Sequence, residues 1–457
     1  MNTAETVDFR LILIDPVTRR ILVRESIGDY RLPRTRLSQR VRLVQQLRRE
    51  VKNRWELDAF ILEIRIYGSS SNNYAIAEIA TLERTSAFHL VRINQIPEGE
   101  LSEAERIGIT DVLDDRVQFP FARLGSIDQI ITWITSVTGE SFSSKEEIEQ
   151  LNAGDGFALF KFRSDVGDNY WFKATGIPNL HELAVTSLLS KIGGPYLPGL
   201  ISTRPDWNAW LSRGEGDDIP ELPREQSARA RLLENMVTSM ADLQIRTVSW
   251  KSDLLAAGAH DQDLNVLASR SEEVFDYIEE AMSRQTSTKV ASLEKRRIHQ
   301  LGELFQEICL RVNALDIPTS LLHGDLNLPN ILAMPDHCQF IDWSEAYIGN
   351  PLITLEHLLL LNQVDDPARR IQINQRLKCK YCSILAKICA PQAIDRGVVY
   401  MPFLAAFSTL YGRGDWLVTP QRDDPNRQSY ARTLARHMDR AASAPDLRES
   451  LKTFLAF

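Results

Sequence analysis

The stretch Leu321-Leu322-His323-Gly324-Asp325-Leu326-Asn327-Leu328-Pro329-Asn330-Ile331-Leu332, continued by Gln339-Phe340-Ile341-Asp342-Trp343, decides the reading of this chain. Ile331-Leu332-Ala333 and Gln339-Phe340-Ile341 read as two short strands, with Met334-Pro335-Asp336-His337 as the turn between them. A hairpin of that length brings its open ends together, so Asn330 and Asp342 are expected to face one space. Asp325 sits on the loop just before it. Two oxygen ligands beside a separate carboxylate suit phosphoryl transfer. They offer hard donors for Mg²⁺ and one carboxylate to orient an attacking hydroxyl. Read as a buried loop with polar caps, the same segment would leave three acceptor side chains converging without a cation.

The segment resembles the catalytic motif of the aminoglycoside phosphotransferase and choline kinase family, small-molecule kinases with a protein-kinase-like fold. The matching residues are His323-Gly324-Asp325, Asn330 and Ile341-Asp342-Trp343, followed by Gly349-Asn350-Pro351. The resemblance implies Asp325 as catalytic base or hydroxyl-orienting group, and Asn330 and Asp342 as magnesium ligands. His323 is implied as a structural hydrogen-bonding residue. The family usually carries an acidic residue shortly after the Pro, where this chain has Thr354. Little loss is expected from that departure.

An ATP site belongs upstream. Trp171-Phe172-Lys173-Ala174 ends a predicted strand, and a Lys there can pair with the α- and β-phosphates. Nine residues later Glu182 opens a predicted helix and can hold the Lys ammonium. Alone, such a pair is as readily a surface ion pair worth about 0–1 kcal/mol. The downstream motif favours the functional reading. Gly154-Asp155-Gly156 reads equally as a hairpin turn or a phosphate-covering loop. By its order along the chain, Trp207–Gly214 falls where the family's inter-lobe hinge lies, and the resemblance implies main-chain groups from about Leu211 to Arg213 facing adenine. Met240 to Gln244 resembles the helical segment that precedes the variable substrate region in such kinases.

Before the polar break Thr138 to Ser144 lies a different unit. Residues 9–15, 20–26, 60–67 and 74–81 read as strands, with a polar turn at Ser69 to Asn73, and 125–137 reads as a helix. From Leu37 the pattern predicts a helix, because Leu37, Val41, Val44, Leu47 and Val51 fall on one face. This order, ending in Arg49-Glu50-Val51, resembles a Nudix domain. Aligned on that tripeptide, the family's metal-binding Glu positions fall on Val41, Asn53 and Arg54, and its closing Gly on Glu56. Only Glu50 survives, and Val, Asn and Arg cannot retain a divalent cation. The expectation is a Nudix-like scaffold without pyrophosphohydrolase activity.

Composition bounds the rest. Among 457 residues, 53 Lys plus Arg stand against 61 Asp plus Glu, a net charge of −8 that offers no general attraction to nucleic acid or anionic lipid. The apolar fraction of 44 % and charged fraction of 25 % are those of a soluble globular protein. No window reaches the roughly 18 apolar residues of a membrane span, and the start carries no secretory signal. Five cysteines, all in the C-terminal third, argue for reduced thiols and a cytoplasmic protein. Cys379-Lys380-Tyr381-Cys382 lies in a helical pattern without a second pair at zinc spacing, and reads as helix packing. The arginines of 40–54 read as a solvated face. Tyr411 to Trp416 is an unusual loop, either packing or part of an acceptor pocket for a cationic substrate.

The expected fold is α+β: a protein-kinase-like two-lobed phosphotransferase over 141–457, preceded by a small α/β Nudix-like domain over 1–140. The N-lobe is placed at 141–212 and the helical C-lobe at 213–457. The expected activity is ATP- and Mg²⁺-dependent transfer of phosphate to a hydroxyl of an aminoglycoside-, choline- or sugar-like small molecule. The alternative is a catalytically silent kinase-like nucleotide-binding or regulatory module. Neither acceptor nor oligomeric state is legible.

Overall fold

A two-residue alternation builds the first sheet. In β1 (Thr6–Asp15), Phe9, Leu11 and Leu13 join one buried cluster while Ile12 and Ile14 join another, so both faces of the strand are covered. The computed structural model describes residues 6–26, 29–38, 42–67, 73–81 and 88–453. The chain divides into two compact units, Met1–Leu183 with Gly199–Glu215, and Ala184–Pro198 with Gly216–Phe457.

In the first unit, β1 combines with β2 (Arg20–Ser26), β3 (Asp29–Arg31), β4 (Arg34–Ser38), β5 (Asp58–Arg65), β6 (Asn73–Thr81) and β7 (His89–Val91). The order is β3-β2-β1-β6-β5, with β4 on β1 and β7 on β2, and the β1–β6 pair is parallel. One face packs on α1 (Leu43–Trp55) through Val44, Leu47 and Val51. The other packs on α2 (Glu103–Leu113) through Ile109 and Val112. A capping box starts α2: Ser102 Oγ accepts from Glu105 N at 3.3 Å, and Glu105 Oε2 accepts from Ser102 N at 2.7 Å.

The helix expected from Leu37 is corrected here. Leu37 lies in β4, where Thr35 and Leu37 are buried and Arg34 and Arg36 exposed, a strand period. The helix starts at Leu43, and Glu56 ends it at φ 57°. Val41 and most of the 69–73 turn lie outside the described residues.

The helix α3 (Ser126–Thr138) leads into a second sheet of β8 (Glu149–Asn152), β9 (Phe157–Arg163), β10 (Asn169–Thr175), β11 (Leu200–Arg204) and β12 (Ala209–Arg213). Its order is β11-β12-β10-β9-β8, all antiparallel. Phe160, Phe162 and Phe172 from this sheet share one core with Ile127, Ile130 and Ile134 of α3 and with Phe60 of β5. The two sheets of the unit are thus joined by apolar packing. The helix α4 (Glu182–Ile192) follows β10.

The second unit is mostly helical. After β13 (Asp217–Asp218) come α5 (Gln226–Thr247), α6 (Lys251–Ala256), β14 (His260–Asp261), α7 (Leu264–Ser269), α8 (Ser271–Ser283) and α9 (Lys295–Asn313). Four short strands follow: β15 (Ser320–Leu322), β16 (Ile331–Ala333), β17 (Cys338–Phe340) and β18 (Tyr347–Gly349). The chain ends in α10 (Leu352–Leu360), α11 (Pro367–Leu385), α12 (Pro391–Val398), α13 (Met401–Tyr411), α14 (Pro425–Ala442) and α15 (Pro445–Thr453). Their apolar faces meet in one large core that includes Phe305, Phe340, Trp343, Leu352 and Phe403. No helix among the described residues is long and apolar enough to cross a membrane.

Candidate active site

In the second unit, β15 delivers the chain to the His323–Asn330 loop. Gly324 has φ +80°, and a Cβ there would lie 2.1 Å from the Glu345 carbonyl oxygen, so the turn requires glycine. His323 is buried, its Nε2 is 2.8 Å from Ile341 O, and its ring lies 4.5 Å from that of Trp343. The hairpin forms as expected: Ile331 pairs with Phe340 and Ala333 with Cys338. Ile341 N donates to Asn330 O at 3.0 Å, which sets Asp342 next to Asn330 at the open end.

The Asp325 carboxylate is held from two sides. Asn327 Nδ2 donates to Oδ1 at 2.8 Å and Asn330 Nδ2 to Oδ2 at 3.0 Å. Asn330 Nδ2 also reaches Asp325 O at 2.9 Å. The Asn330 amide nitrogen is therefore spent on Asp325, and Oδ1 is the atom left for a cation. Asp342 adopts φ 66°, and its Oδ1 accepts from Ser344 Oγ at 3.0 Å. Among the described residues no three His, Cys, Asp or Glu cluster as a ready metal cage. Two protein oxygens completed by phosphate oxygens are what Mg²⁺ commonly uses, and the Asn330 and Asp342 donors fit that pattern.

Residues that the motif does not contain support this loop. Arg413 donates from Nε and Nη2 to the Glu345 carboxylate at 3.1 and 2.8 Å, and from Nη2 to Ser344 O at 2.8 Å. This places the Tyr411–Trp416 loop behind the Asp342–Glu345 segment. Trp416 is buried, with its ring 4.5 Å from that of Tyr277. Packing explains that tryptophan. Thr354 is buried and accepts from Gln244 Nε2 at 2.9 Å, while Gln244 Oε1 takes the Tyr381 hydroxyl. The family acid is thus replaced by a neutral network reaching Leu321 O, to which Gln244 Nε2 also donates at 3.2 Å. Tyr430 on α14, half-exposed, has its phenol raised by burial and then by the Asp325 charge. Arg413 and Gln244 lie in the Tyr411–Trp416 and Met240–Gln244 stretches singled out from the sequence, but their contacts to this loop were not expected, and no motif signalled Tyr430. Cys379 faces solvent and Cys382 is partly covered on α11.

In the first unit, Lys173 on β10 pairs in register with Leu159 and Trp210. Its Nζ lies 2.6 Å from Glu182 Oε1, with side-chain exposures of 11 % and 1 %. The rings of Phe157 and Trp210 stand 4.9 and 5.6 Å from Nζ. Taking both charges out of water costs several kcal/mol per ion, which sets this pair apart from an ordinary surface bridge. Gly154 has φ +118°, and Gly156 O accepts from Gly176 N at 2.9 Å. Leu211 lies inside the sheet, paired with Phe172 and Ser202. Arg213 N donates to Gly199 O at 2.9 Å and Arg213 O accepts from Glu215 N at 3.1 Å. Those main-chain groups are already engaged. Glu50, left from the Nudix-like pattern, lies 2.9 Å from Arg54 Nε and accepts from Thr35 Oγ1 at 3.3 Å.

Residues 182–378 match the model of the phosphotransferase enzyme family. Among solved structures, the chain is similar to a macrolide 2′-phosphotransferase from Brachybacterium faecium, at 14 % identity over 67 % of this chain and 97 % of that one, with a TM-score of 0.45. A choline kinase from Cryptosporidium parvum shares 14 % identity over 69 % and 95 % of the two chains, with a TM-score of 0.48. A choline/ethanolamine kinase family protein from Mesorhizobium loti shares 14 % over 71 % and 98 %, with a TM-score of 0.43. None of the curated proteins matches the chain.

Proposed function

We propose that the protein is an ATP- and Mg²⁺-dependent kinase that transfers the γ-phosphoryl group to a hydroxyl of a small molecule. The observation that carries this reading is the Asp325 carboxylate, fixed on both oxygens by Asn327 and Asn330. A carboxylate so held can orient an attacking hydroxyl and accept its proton without rearranging. Asn330 Oδ1 and the Asp342 carboxylate would hold Mg²⁺, which when bound neutralises charge on the phosphates. Lys173, steadied by Glu182, would take the α- and β-phosphates. Leu211 and Arg213 mark the strand that leads to the adenine contact. Because their main-chain groups are engaged in the sheet, the base is expected against the chain that follows.

In this reading 141–212 is the N-lobe and 213–457 the C-lobe of the kinase, and the enzyme works in the cytoplasm. Residues 1–140 are a Nudix-like scaffold without pyrophosphohydrolase activity, since Glu50 is committed to Arg54 and Thr35. The test is a metabolite-wide screen for ADP formation from ATP and Mg²⁺, run beside Asp325→Ala. An acceptor-dependent signal that the variant lacks supports the proposal. ATP consumption that no hydroxyl compound stimulates refutes it.

A further inference from the structure

The turn that follows α13 is built around Arg413. Gly412 and Gly414 flank it at φ 55° and 75°. Tyr411 O accepts from Gly414 N at 2.9 Å and from Trp416 Nε1 at 2.8 Å. Gly412 O accepts from Nε2 of the buried Gln262 at 2.6 Å, and Gln262 N in turn donates to Ile348 O at 2.9 Å. The main chain on either side of Arg413 is thereby fixed, and its guanidinium is aimed before any partner is counted.

That guanidinium is committed to the turn carrying Asp342. The Arg413 side chain is 10 % exposed against 41 % for Glu345, so the cation is the buried member of the pair. A buried cation is kept only where its donors are used. Nη2 serves both Ser344 O and the Glu345 carboxylate, a task suited to a planar fork of donors. Ser344 passes the constraint on. With its main chain held by Arg413, its hydroxyl donates to Asp342 Oδ1 at 3.0 Å. Asp342 needs this support, because it sits at φ 66°, a left-handed backbone that its surroundings must impose. The Glu345 main chain also packs against Gly324, the residue before Asp325.

We infer that Arg413 is a positioning residue for the cation: through Ser344 it fixes the direction of the Asp342 carboxylate and so sets the affinity for Mg²⁺. The inference rests on the reading of Asp342 as a Mg²⁺ ligand given above, and adds to it a residue outside the motif. Groups that orient a metal ligand in this way govern metal affinity by about 10- to 100-fold.

Calorimetric titration of the full chain with ADP, first in EDTA and then across a Mg²⁺ series, tests it. In the wild type Mg²⁺ should tighten ADP binding. Arg413→Gln should leave the affinity in EDTA unchanged and raise the Mg²⁺ concentration of half-maximal effect by about tenfold or more. Arg413→Lys, which keeps the charge but not the paired donors, should fall between the two. Ser344→Ala removes only the hydroxyl on Asp342 and should shift the Mg²⁺ dependence in the same direction. It carries the test where Arg413→Gln melts far below the wild type. A purely structural Arg413 would lower the melting temperature and leave the Mg²⁺ dependence where it was. That result, in Arg413→Gln and Ser344→Ala alike, overturns the inference and leaves the kinase reading standing. Wild-type protein that binds no ADP, or binds it without regard to Mg²⁺, refutes the kinase reading and the inference with it.

Discussion

The side-chain amide of Gln150 closes the edge of β5 by pairing with both main-chain groups of Ile61. Oε1 accepts from Ile61 N at 2.8 Å and Nε2 donates to Ile61 O at 2.6 Å, and Gln150 is buried. The amide acts as one rung of a ladder where β5 bulges between Ile61 and Glu63. Nearby, Arg48 of α1 donates to Ala59 O at 2.9 Å and Ile148 O at 2.6 Å, over the Phe60 ring at 4.4 Å. These groups fasten the two sheets of the first unit together.

Gln150→Ala leaves a buried N–H and C=O of Ile61 unpaired, at about 1–3 kcal/mol each. The expected outcome is a lower melting temperature and faster proteolytic cleavage between residues 139 and 149. A variant as resistant as the wild type would show that the apolar core alone holds the sheets.

Lys173 and Glu182 are buried together, so removing one charge strands the other. Glu182→Gln is expected to lower kcat/KM for ATP on the order of 100-fold, through a Lys173 no longer held in place. Steady-state kinetics at varied ATP checks this, and an unchanged kcat/KM would leave the pair a purely structural one.

Gly324→Ala forces a Cβ to 2.1 Å from Glu345 O at φ +80°. The loop must shift, and Asp325, the next residue, shifts with it. Turnover should fall far more than nucleotide affinity. Equal loss of both would mean that the whole second unit had been destabilised, which a melting curve reports.

Glu78 on β6 is buried and accepts from Gly125 N at the start of α3. Burial pushes its carboxyl up to about 7 from 4.5, against the pull of the Gly125 and Ile127 N–H groups. Between those pH values the folded chain keeps a proton that the unfolded chain releases. The contribution to stability therefore falls as pH rises through this window and levels off above it. The full change is on the order of 3 kcal/mol. Urea midpoints at pH 5 and pH 8 should show Glu78→Gln gaining on the wild type at the higher pH. A constant difference would contradict the shifted carboxyl.

The hairpin carrying Asn330 and Asp342 was legible because its strands, turn and oxygen-bearing ends are contiguous in the chain. Lys173 and Glu182 were legible as a pair because a strand end and a helix start nine residues apart leave few other geometries. Leu37 misled: it continues the helical spacing of Val44, Leu47 and Val51, yet the buried Thr35 and exposed Arg34 and Arg36 follow a strand period. Arg413 and Gln244 lie in stretches the sequence marked for other reasons, and their contacts to the site stayed hidden because each acts on it from a distant point of the chain. Gln150 was hidden for a different reason. A glutamine in a predicted strand gives no sign that its side chain, rather than its backbone, will pair with another strand.

Nucleotide binding and phosphate transfer, measured on one preparation of Asp325→Ala beside the wild type, test the central claim most directly. The account predicts Mg²⁺·ATP affinity close to that of the wild type and transfer to the acceptor reduced by several orders of magnitude. Transfer at the wild-type rate would remove Asp325 from the reaction, and with it the proposed enzyme.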